Sequence, residues 1–230
     1  MKLHRSHTHD EHILQAPSQA KTPFRSSDPW RVLRVMSEFV QGFDELAEVG
    51  PAVTIFGSAR TRPEDRQYQQ TVETARLLGQ SGYAIITGGG PGIMQAGNEG
   101  ARQVGALSIG LNIELPFEQH INPHVDLAIE FHYFFVRKVM LLKYAQASII
   151  FPGGFGTIDE FFETLTLIQT GKMSNFPLVL FDTAYWGGMV AWVRSTMLAE
   201  GKISPEDLDL FFLTDSPAEA HDYIVSRLRS

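Results

Sequence analysis

The sequence predicts an α/β fold, a Rossmann-like doubly wound parallel sheet with flanking helices. Three observations carry this expectation. Short apolar runs rich in β-branched residues alternate with longer stretches of helical periodicity. The short runs are continuously apolar rather than alternating, as strands covered on both faces must be. Glycine clusters follow three of these runs, at the strand-to-helix turns where open α/β sheets place their ligands.

In chain order, residues 1–27 carry His4, His7, His9 and His12 with Ser and Gln and few apolar side chains. They bury too little apolar surface to offset the entropy of ordering them, and the expectation is a mobile tail whose histidines form a solvated end rather than a metal site. A single domain is expected over residues 28–230. Asp28 as N-cap with Pro29 at the first helical position starts a helix, and Val32, Val35, Phe39, Phe43 and Leu46 recur at its spacing. Strands follow at 52–56, 83–87, 106–112, 125–131, 147–151 and 177–181, with helices opened after Pro63 and Pro91. Ser216-Pro217-Ala218-Glu219 reads as a capping box opening a last helix, with Tyr223, Ile224 and Leu228 inward.

Composition narrows the chemistry. With 230 residues the chain is long enough for a full core. A formal charge of -7 supplies no field to gather a polyanion, so a general nucleic-acid binder is disfavoured. The chain has no cysteine, which excludes disulfides, thiolate metal sites and Cys nucleophiles and fits a cytoplasmic protein. No apolar run has the length of a membrane span, and the amino-terminal segment is polar where a signal peptide is apolar. His120 and His124 have no metal partners at ligand spacing, and neither a metal nor another cofactor is expected.

The glycine turns carry the candidate site. The first is Gly57-Ser58-Ala59, which offers backbone N–H groups and a hydroxyl. The second is Gly88-Gly89-Gly90-Pro91-Gly92-Ile93-Met94, read either as an anion site at a helix N-terminus or as a tight turn packed beneath its own helix. Its spacing matches neither Gly-x-Gly-x-x-Gly nor a P-loop, which removes the usual support for NAD oxidoreduction and ATP hydrolysis. The third is Pro152-Gly153-Gly154-Phe155-Gly156-Thr157-Ile158-Asp159-Glu160. Here Gly153, Gly154 and Gly156 let N–H groups converge, Thr157 adds a hydroxyl, and the helix dipole favours a phosphate. Glu160 lies one turn into that helix and becomes a general-base candidate beside a phosphate loop. Arg137 and Lys138 stand inside the apolar helical run 134–142. Adjacent helix positions diverge by about 100°, so the two cations do different jobs. Phe131, His132, Tyr133, Phe134 and Phe135 either line a base pocket or are core and interface aromatics.

Gly-Gly-Gly-Pro-Gly-Ile-Met, the Arg137-Lys138 pair and Pro-Gly-Gly-x-Gly-Thr-x-x-Glu ending at Glu160 together resemble the Lonely Guy (LOG) family, whose members are often labelled lysine decarboxylases. The resemblance spans about residues 50–200. It implies a Rossmann-like homo-oligomer, usually built on a homodimer, that hydrolyses the N-glycosidic bond of cytokinin riboside 5'-monophosphates or AMP to free base and ribose 5-phosphate. It makes Arg137 and Glu160 the catalytic pair and places Lys138 beside the substrate. Gly153, Gly154, Gly156 and Thr157 become phosphate contacts, and Glu118 and Thr166 match further substrate-contact positions. Gly57, Ser58, Gly89 and Gly90 complete the expected binding set from the first two turns. Where plant-type members carry Met-His-x-Arg-Lys, this chain has Phe134-Phe135-Val136-Arg137-Lys138, and it adds an amino-terminal helix. No Lys stands in an evident pyridoxal phosphate context, so the decarboxylase label has no physical support. The rival reading is a non-enzymatic phospho-ligand carrier resembling molybdenum cofactor carrier proteins, which share the fold and glycine loops. A DNA-processing relative of the fold is disfavoured by the acidic balance.

Overall fold

A computed structural model describes residues 8–14, 27–115 and 120–229. Its strands are β1 (Ala52–Phe56), β2 (Ala84–Thr87), β3 (Ser108–Ile113), β4 (Leu127–Phe131), β5 (Ala147–Ile150), β6 (Leu178–Phe181) and β7 (Phe212–Thr214). They form one seven-stranded sheet of order β4-β3-β2-β1-β5-β6-β7, and every pairing is parallel. The expected fold class is thereby borne out.

The continuous apolar runs have a direct packing cause. Along β1, Val53 and Ile55 enter one core while Ala52 and Phe56 enter the other. Ile85 and Ile149 follow the first pair, and Ile86 and Ile150 the second. One layer holds α3 (Arg66–Gln80), α4 (Ile93–Gln103) and α8 (Pro217–Leu228). Residues of α2 (Asp28–Leu46), α5 (Phe134–Lys143), α6 (Phe155–Gln169) and α7 (Thr183–Trp192) pack into the other core. Each parallel step requires a crossover, and the helices that supply it bury both faces of the sheet. Among the described residues, no helix is long and apolar enough to cross a membrane.

Several local expectations are revised. On α2 the buried positions are Glu38, Gly42 and Leu46, with Val35 and Phe39 half-buried, whereas Val32 and Phe43 are exposed. The inner stripe admits a carboxylate because Glu38 accepts the backbone N–H groups of His132 and Tyr133. Ser216 caps α8 by accepting from the Glu219 N–H, but the Glu219 carboxylate turns to the Thr214 hydroxyl instead of closing the box. β7 and α7 went unread because one is three residues long and the other is apolar on every side around Gly187-Gly188.

Part of the amino-terminal stretch read as a tail is described. Its residues His9–Leu14 form α1, and Ile13 packs against the core. Asp10 accepts the Phe134 N–H at the start of α5 at 3.0 Å.

Beneath the second glycine turn lies a closed polar network. Thr87 donates to Asn98 Oδ1 (2.7 Å), and the Asn98 amide donates to Ser108 Oγ (2.8 Å) and the Ile109 carbonyl (3.2 Å). The Asn122 amide reaches the carbonyls of Gly89 and Gly90, both at 3.0 Å, while the Gly89 N–H donates to Thr87 Oγ1. Gly89 has φ of 71°, and a Cβ there would stand 3.2 Å from Gly110 Cα. Satisfied buried networks are costly to break, because a lost member strands its partners without water. Asn98→Ala is therefore expected to lower the unfolding free energy by about 2–3 kcal/mol, read as a shifted urea midpoint in circular dichroism; an unchanged midpoint would show that the turn is held by other means.

Candidate active site

The order of strands reverses between β1 and β5, and the crevice beyond their carboxyl ends is where such sheets bind ligands. A cleft of about 850 Å³ opens there, large enough for a nucleotide. Its floor and walls include Gly57, Ser58, Gly88, Gly153, Gly154, Gly156 and Thr157, so all three glycine turns contribute. They also hold one another. The Ser58 N–H donates to the Pro152 carbonyl and the Ile93 N–H donates to the Ser58 carbonyl, both at 3.0 Å.

The turns differ in what they leave for a ligand. At the start of α4 the first N–H is taken by Ser58, and Gly89 and Gly90 are buried with their carbonyls bound by Asn122. Of the second turn's three leading glycines only Gly88 reaches the cleft wall, so Gly89 and Gly90 belong to the packed-turn reading. At the start of α6 no side chain caps the helix, and Gly154 and Gly156 are exposed with open space where a Cβ would stand. Four N–H groups of a helix's first turn lack intrahelical partners, and here Gly154, Phe155, Gly156 and Thr157 line the cleft.

Arg137 and Glu160 both line this cleft. The Arg137 guanidinium lies over the Phe134 ring, 5.1 Å from its centroid, and a Cβ on Gly88 would come within 3.7 Å of it. Its Nε is buried without a hydrogen-bond partner among the described residues. Burial pulls the Arg137 pKa below its usual value against the opposing fields of Glu160 and Asp10. Glu160 is 5% exposed, and its Oε2 is likewise buried and unpartnered. Burial raises its pKa to about 7, while Lys138 and Arg137 hold it down and Glu163 and Asp159 push it up. A carboxyl poised near neutrality in a cleft is suited to proton transfer.

Lys138 does a different job. Its ammonium bridges Asp159 and Glu163 of α6, both at 2.8 Å, and it is absent from the cleft wall. Burial alone would lower its pKa, but these two hydrogen bonds outweigh that and raise it. It locks α5 to α6 and acts on Glu160 through its charge.

The family described as "Possible lysine decarboxylase" matches residues 94–224, more than half of the chain. The chain belongs to that family, the LOG family of the motif resemblance. A Mycobacterium tuberculosis protein named cytokinin riboside 5'-monophosphate phosphoribohydrolase is 28% identical over 153 residues, 64% of this chain and 80% of that protein. A Rhodococcoides fascians protein of the same name is 28% identical over 174 residues, covering 67% and 86% respectively. Among solved structures, the molybdenum cofactor binding protein from Rippkaea orientalis aligns with a TM-score of 0.57 at 18% identity, over 78% of this chain and 96% of that one. The molybdenum cofactor carrier protein from Chlamydomonas reinhardtii aligns at 0.57 and 20%, over 78% and 99%. These two show the fold.

One family-implied position lies elsewhere and another is not described. Thr166 is exposed on α6, its hydroxyl donating to the Phe162 carbonyl, and is outside the cleft wall; Glu118 lies outside the described residues. Of the aromatic run, Phe131 and Tyr133 are core, Phe135 is exposed and Phe134 lines the cleft. Sequence reasoning missed Tyr185 and Gln67, both in the cleft wall. Tyr185 donates to the Gly153 carbonyl at 2.6 Å and so steadies the third turn. Asp182, at φ of 88°, accepts from the Tyr185 N–H and from Gln67 Nε2. The signal available was an Asp after strand β6 at helix-capping distance from Tyr185.

Glu160 also links stability to pH. Its folded pKa of about 7 lies above the ordinary 4.5, so the folded state holds a proton the unfolded state has released. The cost is absent below pH 4.5, grows as pH rises through 7, and reaches about 3 kcal/mol at alkaline pH. Glu160→Gln removes it. Thermal denaturation is expected to show the variant gaining on the parent protein between pH 5 and pH 8; parallel melting curves across that range would refute the raised carboxyl pKa.

Proposed function

We propose that the protein hydrolyses the N-glycosidic bond of a purine nucleoside 5'-monophosphate, a cytokinin riboside 5'-monophosphate or AMP, to free base and ribose 5-phosphate. The observation that carries this reading is the pair Arg137 and Glu160, a cation and a carboxyl, each with a buried polar atom that has no partner among the described residues, on the same cleft as an uncapped glycine-rich helix start. Buried polar atoms without partners are uncommon in native proteins, and a ligand with complementary groups accounts for both. The family membership and the names of the relatives support the same chemistry.

In this scheme the 5'-phosphate sits on the N–H groups of Gly154 to Thr157, where the dipole of α6 and the absence of side chains at Gly154 and Gly156 favour an anion. Tyr185 holds the loop through the Gly153 carbonyl. Glu160, one turn further, faces the ribose. As the bond from C1' to the base nitrogen breaks, positive charge develops on the sugar and the Glu160 carboxylate stabilises it. Water adds its oxygen to C1' and passes a proton to Glu160, while the departing base nitrogen takes a proton from solvent, and Glu160 then returns its proton to solvent. Arg137 orients the phosphate and sugar or assists departure of the base, supplying the fixed positive charge of the site. The substrate is the partner this reading implies, with a homodimer or higher homo-oligomer as the working assembly and the cytoplasm as its compartment.

Incubation with AMP and with isopentenyladenosine monophosphate, following free base by chromatography, tests the assignment. Arg137→Ala and Glu160→Gln are each expected to lower turnover at least about 100-fold with an unchanged circular dichroism spectrum. No base release by the folded parent protein would instead favour a non-enzymatic carrier of a phosphorylated ligand. Turnover should fall as pH drops below about 7, where Glu160 takes up its proton. Lys138→Met, which removes the largest charge holding that pKa down, should move the acid limb of the kcat profile to higher pH; an unmoved limb would show that Glu160 is not the titrating base.

A further inference from the structure

Outside the cleft, three chain segments bring together a set of donors that the catalytic reading does not use. His9 on α1, Glu114 just after β3 and His132 just after β4 place one ligand atom each within 4.8 Å of one another. The His9 and His132 rings stand edge to face with centroids 4.7 Å apart. Glu114 Oε2 lies 2.6 Å from His9 Nδ1.

The orientation of His132 is the second observation. Its Nδ1 is held at 2.8 Å by Glu38 Oε1. Glu38 is itself 9% exposed and anchored by the backbone N–H groups of His132 and Tyr133. A carboxylate fixing one ring nitrogen sets the tautomer, which leaves Nε2 with its lone pair free to ligate. Two imidazoles and one carboxylate form a donor set of the kind that binds Zn²⁺ with one position left open. We propose that His9, Glu114 and His132 form a Zn²⁺ site that clasps the amino-terminal segment to the β3 and β4 edge of the sheet, with Glu38 orienting His132.

The geometry requires small adjustments. Tetrahedral ligands about 2.0–2.1 Å from zinc lie roughly 3.4 Å apart, so the three side chains converge slightly by χ rotation. His9 Nε2 meets the Arg34 guanidinium, and His9 Nδ1 pairs with Glu114. On ligation through Nδ1 that nitrogen gives up any proton it carries, Nε2 becomes the protonated nitrogen, and Arg34, which is exposed, turns to solvent. Arg31 is already paired with Asp28 and does not oppose the ion directly. The carboxylates of Glu114 and Glu38 balance the charge of the ion. The position matters to the cleft because Asp10, one residue after His9, binds the Phe134 N–H and adds to the field at Arg137. A clasp at His9 therefore holds Asp10 in place beside the entrance of α5.

The test is calorimetric titration of the full chain, stripped with a chelator, with Zn²⁺ alone. The expected result is one ion bound per chain and a raised melting temperature, since an ion that binds only the folded state stabilises it. His132→Ala and Glu114→Gln should each weaken binding at least tenfold, and Glu38→Gln, which keeps all three ligands, about 10–100-fold. A variant carrying His4→Ala, His7→Ala and His12→Ala together should bind as the parent does. Absence of binding by folded protein would overturn the proposal. So would binding unchanged by His132→Ala and Glu114→Gln but lost in the triple variant, which is chelation by the terminal histidines alone.

Discussion

The two backbone hydrogen bonds of Ser58, one to the Pro152 carbonyl and one from the Ile93 N–H, join the three glycine turns into a single surface. Each turn ends a different strand, β1, β2 or β5, and without that junction they would be independent loops. Close approach is possible only because bulk is missing: a Cβ at Gly57 would lie 2.5 Å from Ile93, and one at Gly88 would lie 2.7 Å from the Met94 sulfur. The glycines thus serve two ends. At Gly57, Gly88 and Gly89 they permit packing, and at Gly154 and Gly156 they leave backbone N–H groups open to the cleft.

On this platform the protein holds two ionisable groups whose buried atoms oppose its own stability. Neither Arg137 Nε nor Glu160 Oε2 finds a partner among the described residues, and burial shifts each group toward its neutral form. Lys138 moderates the cost for Glu160 from α5, where its bridge to Asp159 and Glu163 keeps a cation near. Direct pairing would quench both groups. Separated charges instead remain available to a ligand with complementary groups, and a riboside 5'-monophosphate is the substrate class in the relatives' own names.

The fold was largely legible because its signals are local. Ala52–Phe56 was read at its observed bounds and the other five expected strands within one or two residues, since parallel strands buried on both faces read as unbroken apolar runs. The third glycine turn, Arg137 and Glu160 were legible as chemistry because a charge inside an apolar helix and an acid beside a glycine loop stand out from their surroundings. The inner face of α2 was misread because Glu38 replaces an apolar residue there, and only the N–H groups of His132 and Tyr133, 94 and 95 positions away, account for it. β7 is too short for its pattern to register.

By itself the sequence determined the order of the first six strands and marked the Gly153–Thr157 turn, Arg137 and Glu160 as candidates, because periodicity, turn chemistry and helix-start signals act over a few residues. Tertiary structure decided which turns line the cleft. Gly89 and Gly90 are withdrawn by Asn122, Lys138 is turned toward α6, and Tyr185 and Gln67 are brought in through Asp182. It also drew His9 of the amino-terminal stretch to Glu114 and His132. Each of these outcomes depends on contacts between segments far apart in the chain, whose geometry exists only once the sheet has brought its strand ends together.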